Sequence, residues 1–341
     1  MQTFVWNPKW TAWVNLLLKL IIAAALSWAL YRQLAGRVEA ARLWQTLRML
    51  VQSEQRFYLW AVLLLMPINW VLEVLKWKQF IPEALGLSFW RLCLAIFSGV
   101  TFSLFTPNRL GDYLGRVLLV RSQANWNVFV ATLAANLCQL AVLLLFGWIG
   151  LLVFIPNSWA IDWQYYKVFL ILTLLGTICL LFFLFQSRAL VNRLLKWSWL
   201  AKYKKTAQKY IKVLQTYDYG VLSRALGLAA LRYIVYASQY VLMLYFVGIE
   251  INVWMAYAGI ATIFLVQTSI PLPPALGLLA RGEIALLVWG SFTEESILIL
   301  AASYGLFIIN LTLPALIGML AILRVNILKS LGYEKNISKN N

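Results

Sequence analysis

Histidine is absent from the 341 residues. Its absence removes imidazole acid–base chemistry, histidine metal sites and every Ser-His-Asp triad. Cysteine is scarce. Cys93, Cys138 and Cys179 sit in separate apolar runs without metal-ligand spacing, so they read as small buried hydrophobes. No Gly-rich phosphate loop of the Walker type occurs, which leaves no means of using ATP. No cofactor is expected. Charge is scarce as well, at 12% of residues against about 25% in soluble domains. Acids are the rarer sign: 12 Asp and Glu face 29 Lys and Arg, for a net charge of +17.

What fills the space is apolar. Hydrophobic residues make up 62% of the chain and the mean hydropathy is +0.77. That much apolar surface cannot be wrapped in so little charge. The chain therefore reads as one all-α, polytopic membrane domain over 1–341, multi-pass in a plasma membrane of bacterial type. The excess of basic residues follows from positive-inside bias and contact with anionic lipid rather than nucleic acid.

A helix needs about 20 apolar residues to cross the hydrocarbon core. Candidate spans are 14–30, 57–75, 91–105, 127–155, 167–186, 225–247, a segment from Val253 into SIPLPPALG, and 296–322, with a short apolar piece at 283–292. About 7–9 membrane segments result. The first is not read as a cleaved leader, because one Lys and three Trp precede it rather than a compact basic start. Lys19, near one end of it, can snorkel.

Between spans, residues 31–56 carry five Arg, with Leu43, Leu47, Leu50 and Val51 at helical spacing. They predict a surface-lying amphipathic helix. Residues 187–224 hold nine Lys or Arg and one opposing acid, Asp218, which suits a helix resting on anionic lipid. Loop charge places 31–56, 106–126, 187–224 and the flexible tail 325–341 in the cytoplasm, and 156–166, 248–252 and the N-terminus outside.

Two segments break the helical pattern alike. Pro107-Asn108-Arg109-Leu110-Gly111 and Pro273-Pro274-Ala275-Leu276-Gly277 share the pattern P-x-x-L-G. Proline removes a backbone donor and glycine permits reversal. In a membrane such backbone is tolerated only against protein or a watery cavity. Paired breaks in two halves point to a transporter site, so Pro107, Gly111, Pro273, Pro274 and Gly277 are candidate hinge positions. Charges follow both breaks: Asp112 and Arg116 after the first, Arg281 and Glu283 after the second. Ionisable groups at membrane depth cost about 2.5–3.5 kcal/mol each on insertion scales and tend to mark sites. Arg109, Asp112, Arg116, Arg281 and Glu283 are thus candidate substrate-binding residues. Arg109 and Asp112 can neutralise each other, leaving Arg116 to meet an anion such as a lipid phosphate.

Glu73 stands inside the second span. It is either a relay acid or the partner of Lys76 one turn on. Asn69, Asn136, Gln139, Gln239, Gln267 and Asn310 either line a groove or bond between helices, the second being the plainer reading for any one of them. Arg232 is expected to snorkel.

FTPNRLGDYLGRVLL, residues 105–119, resembles the proline-glycine signature of the lysylphosphatidylglycerol synthase transmembrane-region family. IPLPPALGLLARGEIALL is similar to that family's second signature, and NWVLEVLKWKQFI resembles its segment after the second span. Asn108 and Pro274 depart from the family's frequent Gly, and extra residues precede Arg281-Gly282-Glu283. The resemblance implies a flippase-like protein that moves or handles a phospholipid or lipid-linked head group. In the best understood relatives this unit is fused to a soluble aminoacyl transferase. No such domain stands within 1–341, so no transferase activity is expected. Two other classes stay open: a membrane enzyme relying on Asp112, Glu283 or Glu73, and a non-catalytic accessory subunit of a lipid- or glycan-modifying enzyme.

Overall fold

A computed structural model describes residues 8–34, 40–106, 110–120, 125–158, 163–194, 217–269 and 274–325. Among them, five helices are long and apolar enough to cross a membrane: Arg56–Lys78, Asn125–Pro156, Trp163–Gln186, Tyr219–Phe246 and Ser296–Leu323. Shorter apolar helices accompany them. The protein is an all-helical membrane bundle.

In chain order the elements are α1 (Pro8–Leu34), α2 (Ala40–Gln52), α3 (Arg56–Lys78), α4 (Phe89–Ser103), α5 (Gly111–Val120), α6 (Asn125–Ser158) and α7 (Trp163–Leu194). There follow α8 (Tyr219–Phe246), α9 (Val253–Ser269), α10 (Pro274–Trp289), α11 (Ser296–Phe307), a π-turn (Ile308–Thr312) and α12 (Leu313–Leu323). Side chains start and staple several of these elements. Ser88 accepts from the Arg91 amide at α4, and Asp218 accepts from the Val221 amide at α8, each supplying an acceptor for an otherwise orphaned donor. At the first break, Thr106 Oγ1 accepts from the Gly111 amide at 2.7 Å and donates to the Phe102 carbonyl at 2.9 Å. One hydroxyl thus stitches the end of α4 to the start of α5.

α3 and α8 form the spine and run antiparallel. Tyr58 meets Tyr245, Gln239 Nε2 donates to the Val62 carbonyl, Arg232 reaches Glu73, and Tyr217 donates to the Phe80 carbonyl. Arg56 and Tyr219 therefore stand at opposite ends of the bundle. The expectation that 31–56 and 187–224 share one side is corrected by this packing. The cause is α4, which was counted as a full crossing. At 15 residues and about 1.5 Å per residue it is too short for a core of about 30 Å. It packs instead against the ten-residue α5, which runs back beside it.

The amphipathic helix expected within 31–56 is present as α2. Its Leu47 and Leu50 pack on the core while Trp44 and Met49 face outward. Cys93 and Cys138 are buried, but Cys179 is exposed on α7, so its expected burial does not hold. The α7 surface is largely apolar and outward-facing, as a lipid-facing helix requires. Lys19 Nζ donates to the Leu323 carbonyl at 2.7 Å, an exposed bond at the end of α12. Residues 195–216 and 326–341 lie outside the described residues, and with them most of the basic stretch and the tail.

Small residues let helices touch where the hydrophobic effect gives no drive between them. Gly318 of α12 lies against the Phe97 carbonyl of α4, and Gly150 of α6 lies against Ala261 of α9. A side chain at Gly318 would drive into backbone, whereas Gly176 on α7 has nothing within 4 Å of its would-be Cβ. Gly318→Leu is therefore expected to cost about 3 kcal/mol or more and to lower the thermal aggregation temperature in detergent. Gly176→Leu is the matched control, and equal shifts for the two would refute the close crossing.

Candidate functional site

The first break sets where the chemistry falls. Because α5 restarts at Gly111, Asp112 and Arg116 sit one turn apart and face inward, both buried. Arg116 grips Asp112 through two bonds, Nε to Oδ1 at 2.8 Å and Nη2 to Oδ2 at 2.9 Å. The same Nη2 reaches Glu73 Oε1 on α3 at 3.0 Å. Such forked, charge-assisted bonds are about twice as strong as neutral ones. The guanidinium also lies over the Trp77 ring, 5.0 Å from its centre.

Glu73 is the hub. Besides Arg116, it holds Lys76 Nζ at 2.6 Å and Arg232 Nη1 of α8 at 3.2 Å. Gln139 of α6 links the two cations: its Oε1 accepts from Lys76 at 3.0 Å and from Arg232 at 3.2 Å, while its Nε2 donates to the Ala229 carbonyl. Asn136, one turn earlier, donates to Asp112 at 3.3 Å. Trp77 Nε1 donates to Thr132 on α6, and Arg232 lies 5.6 Å from the centre of the Trp70 ring. Glu73, Lys76, Asp112 and Arg116 are all at most 4% exposed. Two acids face three bases, so the ionised cluster carries one surplus positive charge.

Beside it, Asn69 Nδ2 donates to Asn310 Oδ1 at 3.1 Å. Asn310 belongs to the π-turn that interrupts the last membrane helix, and π-turns often mark functional positions. The turn is thus tied to the helix that carries Glu73.

Of the residues singled out in sequence, Glu73, Asp112 and Arg116 are brought together. Asp112 is held by Arg116 and Asn136, and Arg116 is shared between the two acids. The expectation of an Arg116 left over for an anion is therefore corrected. Lys76 pairs with Glu73 as the plainer alternative had it. Arg232 turns inward to Glu73 rather than snorkelling, and Asn136 and Gln139 bond within the cluster. Arg281 is half-buried on α10, 5.8 Å from the centre of the Phe307 ring, with no ion pair among the described residues. Glu283 is exposed on the same helix. No described residue lies within 4 Å of the would-be Cβ of Gly277. Pro274 opens α10, while Pro107, Arg109 and Pro273 lie outside the described residues. The Trp77 shelf carried no sequence signal, since a tryptophan in an apolar run is commonplace.

Charge balance gives a testable ordering. Glu73→Leu leaves the buried Lys76 and Arg116 and the partly buried Arg232 facing Asp112 alone. Removing one partner of a buried pair typically costs about 3–5 kcal/mol. Arg232→Met leaves two acids facing two bases and is expected to cost less. Thermal unfolding of the purified variants in detergent should rank wild type above Arg232→Met above Glu73→Leu. The reverse order of the two variants would contradict the hub role of Glu73.

No curated protein and no solved structure matches the chain. The family model of the lysylphosphatidylglycerol synthase transmembrane region matches residues 16–324. A signature spanning all the described crossings, around a broken hairpin that buries a charged hub, makes the chain a member of that family.

Proposed function

We propose that this multi-pass membrane protein translocates a phospholipid or lipid-linked head group between leaflets, in a plasma membrane of bacterial type, without altering it chemically. The observation that carries the proposal is the buried, positively unbalanced cluster built where a helix breaks inside a membrane bundle. Charge at that depth is expensive and tends to be kept for function. Broken helices are where membrane transporters expose backbone and polar groups to a substrate.

On this reading α4–α5 and α9–α10 are re-entrant hairpins. With α1, α3, α6, α7, α8 and the joined α11–α12 as crossings, they make up the expected membrane segments. Charge sets the sidedness. Lys78, Arg91, Arg224 and Arg324 stand at one end, where 187–224 brings nine Lys or Arg, whereas at the other end Arg48 and Arg56 are offset by Glu54, Glu250, Glu294 and Glu295. The first end is cytoplasmic, with both termini and the 187–224 stretch, where anionic lipid gathers. The N-terminus is thereby moved inside and 31–56 outside. Arg281, half-buried with no ion pair among the described residues, meets the anionic part of the head group. Arg109 and Glu283 complete the polar path, and Asp112 and Arg116 form its charged wall, while the acyl chains stay in lipid. Gly111 and Gly277 let the hairpins flex, next to Pro107, Pro273 and Pro274.

Proteoliposomes carrying fluorescent phosphatidylglycerol and a membrane-impermeant quencher test the proposal. Wild type should speed leaflet exchange. Arg281→Ala, Arg109→Ala and Glu283→Ala should each slow it by about tenfold or more, as the loss of a charge-assisted bond of about 1.5–3 kcal/mol implies, with unchanged elution on gel filtration. Normal exchange in all three would place the path elsewhere.

A further inference from the structure

Gly111 and Gly277, the last residues of the two P-x-x-L-G breaks, lie 166 residues apart. Applied from α3 to α6, that one offset carries α3 onto α8, α4 onto α9, α5 onto α10, and α6 onto the joined α11–α12, with ends agreeing within about one to two helical turns. The packing repeats with the halves exchanged. α4 crosses α12 where Gly318 meets Phe97 and Thr101 donates to the Ala315 carbonyl at 2.7 Å. α9 crosses α6 where Gly147 meets Leu265 and Gly150 meets Ala261. Each hairpin thus packs on the last helix of the other half, through small residues. α3 and α8, which correspond, lie antiparallel against each other. An antiparallel pair of corresponding helices is what a two-fold axis in the membrane plane produces. Glu73 and Gln239, both buried, occupy the same place in the two halves.

Equivalent positions nevertheless differ in closure. Phe102 and Ser103 at the first hairpin tip are buried, and a side chain at Gly111 would strike the Phe102 backbone. Their counterparts Thr268 and Ser269 are exposed, and no described residue lies within 4 Å of the would-be Cβ of Gly277. The first hairpin enters from the end bearing Lys78 and is shut. The second enters from the end bearing Glu250, and its described residues Thr268 and Ser269 are exposed.

We infer that the chain is an inverted-topology repeat and that this structure is one of two access states, the other having the first hairpin open and the second shut. The inference deepens the transport proposal by supplying its motion. In the second state α5 withdraws Asp112 and Arg116 from Glu73, and α9 and α10 close at Thr268 and Gly277. The second half has Gln239, Leu278 and Gly282 where the first has Glu73, Asp112 and Arg116, so a ligand must offset the loss of the hub's ion pairs to populate the second state.

The test uses full-length protein in phosphatidylglycerol vesicles, with Cys93, Cys138 and Cys179 replaced by alanine and one new cysteine, either Ser103→Cys or Ser269→Cys. Position 269 should react with maleimide faster than position 103. Adding Gly111→Leu to wedge the first hairpin should raise the rate at 103 and lower that at 269, each by about tenfold. A rise at 103 with no change at 269 would overturn the inference, and so would a rise at both. If the wedge variant does not fold, the pair Thr268→Cys with Gly277→Cys serves instead. Its oxidation should shut the second hairpin and speed amide exchange in residues 98–112; unchanged exchange, or failure of the pair to oxidise, would overturn the inference. Neither readout needs a transported lipid, so failure of lipid exchange and failure of this inference remain separately visible.

Discussion

Everything in this bundle is arranged around the cost of keeping ions where no water can reach them. Five ionisable side chains from α3, α5 and α8 meet at Glu73. A charge of this kind, left alone in a low-dielectric interior, carries a penalty of several kcal/mol even after relaxation. The penalty is contained only because each ion has a partner and because Gln139, Asn136 and the rings of Trp77 and Trp70 supply further dipoles and faces. The helices are thereby fixed in register: a one-turn slip of α8 along α3 would carry Arg232 away from Glu73.

The break before α5 follows from the same constraint. A continuous helix through residues 89–120 would carry Asp112 and Arg116 across the apolar core with no hub to meet. Stopping α4 near Ser103 and restarting at Gly111 turns the chain back toward the end it came from and delivers both residues to Glu73. Thr106 satisfies the backbone at the break, and Gly99 and Gly115 allow the two short helices to lie nearly backbone to backbone.

Much of the fold was legible in the sequence, and the limits are instructive. Long apolar runs gave α3, α6, α7, α8 and the last helix, because a lipid-facing helix needs length and hydropathy whatever it touches. The pairs Glu73–Lys76 and Asp112–Arg116 were open to i,i+3 and i,i+4 spacing, although Asp112 had been matched with Arg109. The long-range link from Arg232 to Glu73, 159 residues apart, had no local signal. Hydropathy also cannot distinguish a 15-residue apolar helix that crosses from one that enters and returns. That single ambiguity at α4 reversed the side assigned to 31–56. Arg281 and Glu283 were grouped with Arg116 because their motifs look alike. In space Arg281 lies over Phe307, and the second half has the neutral Gln239 where the first has Glu73.

The antiparallel spine is the claim on which the hub, the hairpins and the repeat all rest, and sidedness tests it most directly. Single cysteines at two exposed positions, Gln52→Cys at the end of α2 and Ser223→Cys near the start of α8, would be placed in the cysteine-free chain and treated with a membrane-impermeant maleimide. In intact cells position 52 should label and position 223 should not; in inside-out vesicles the pattern should invert. Labelling of both positions from the same side would contradict the account.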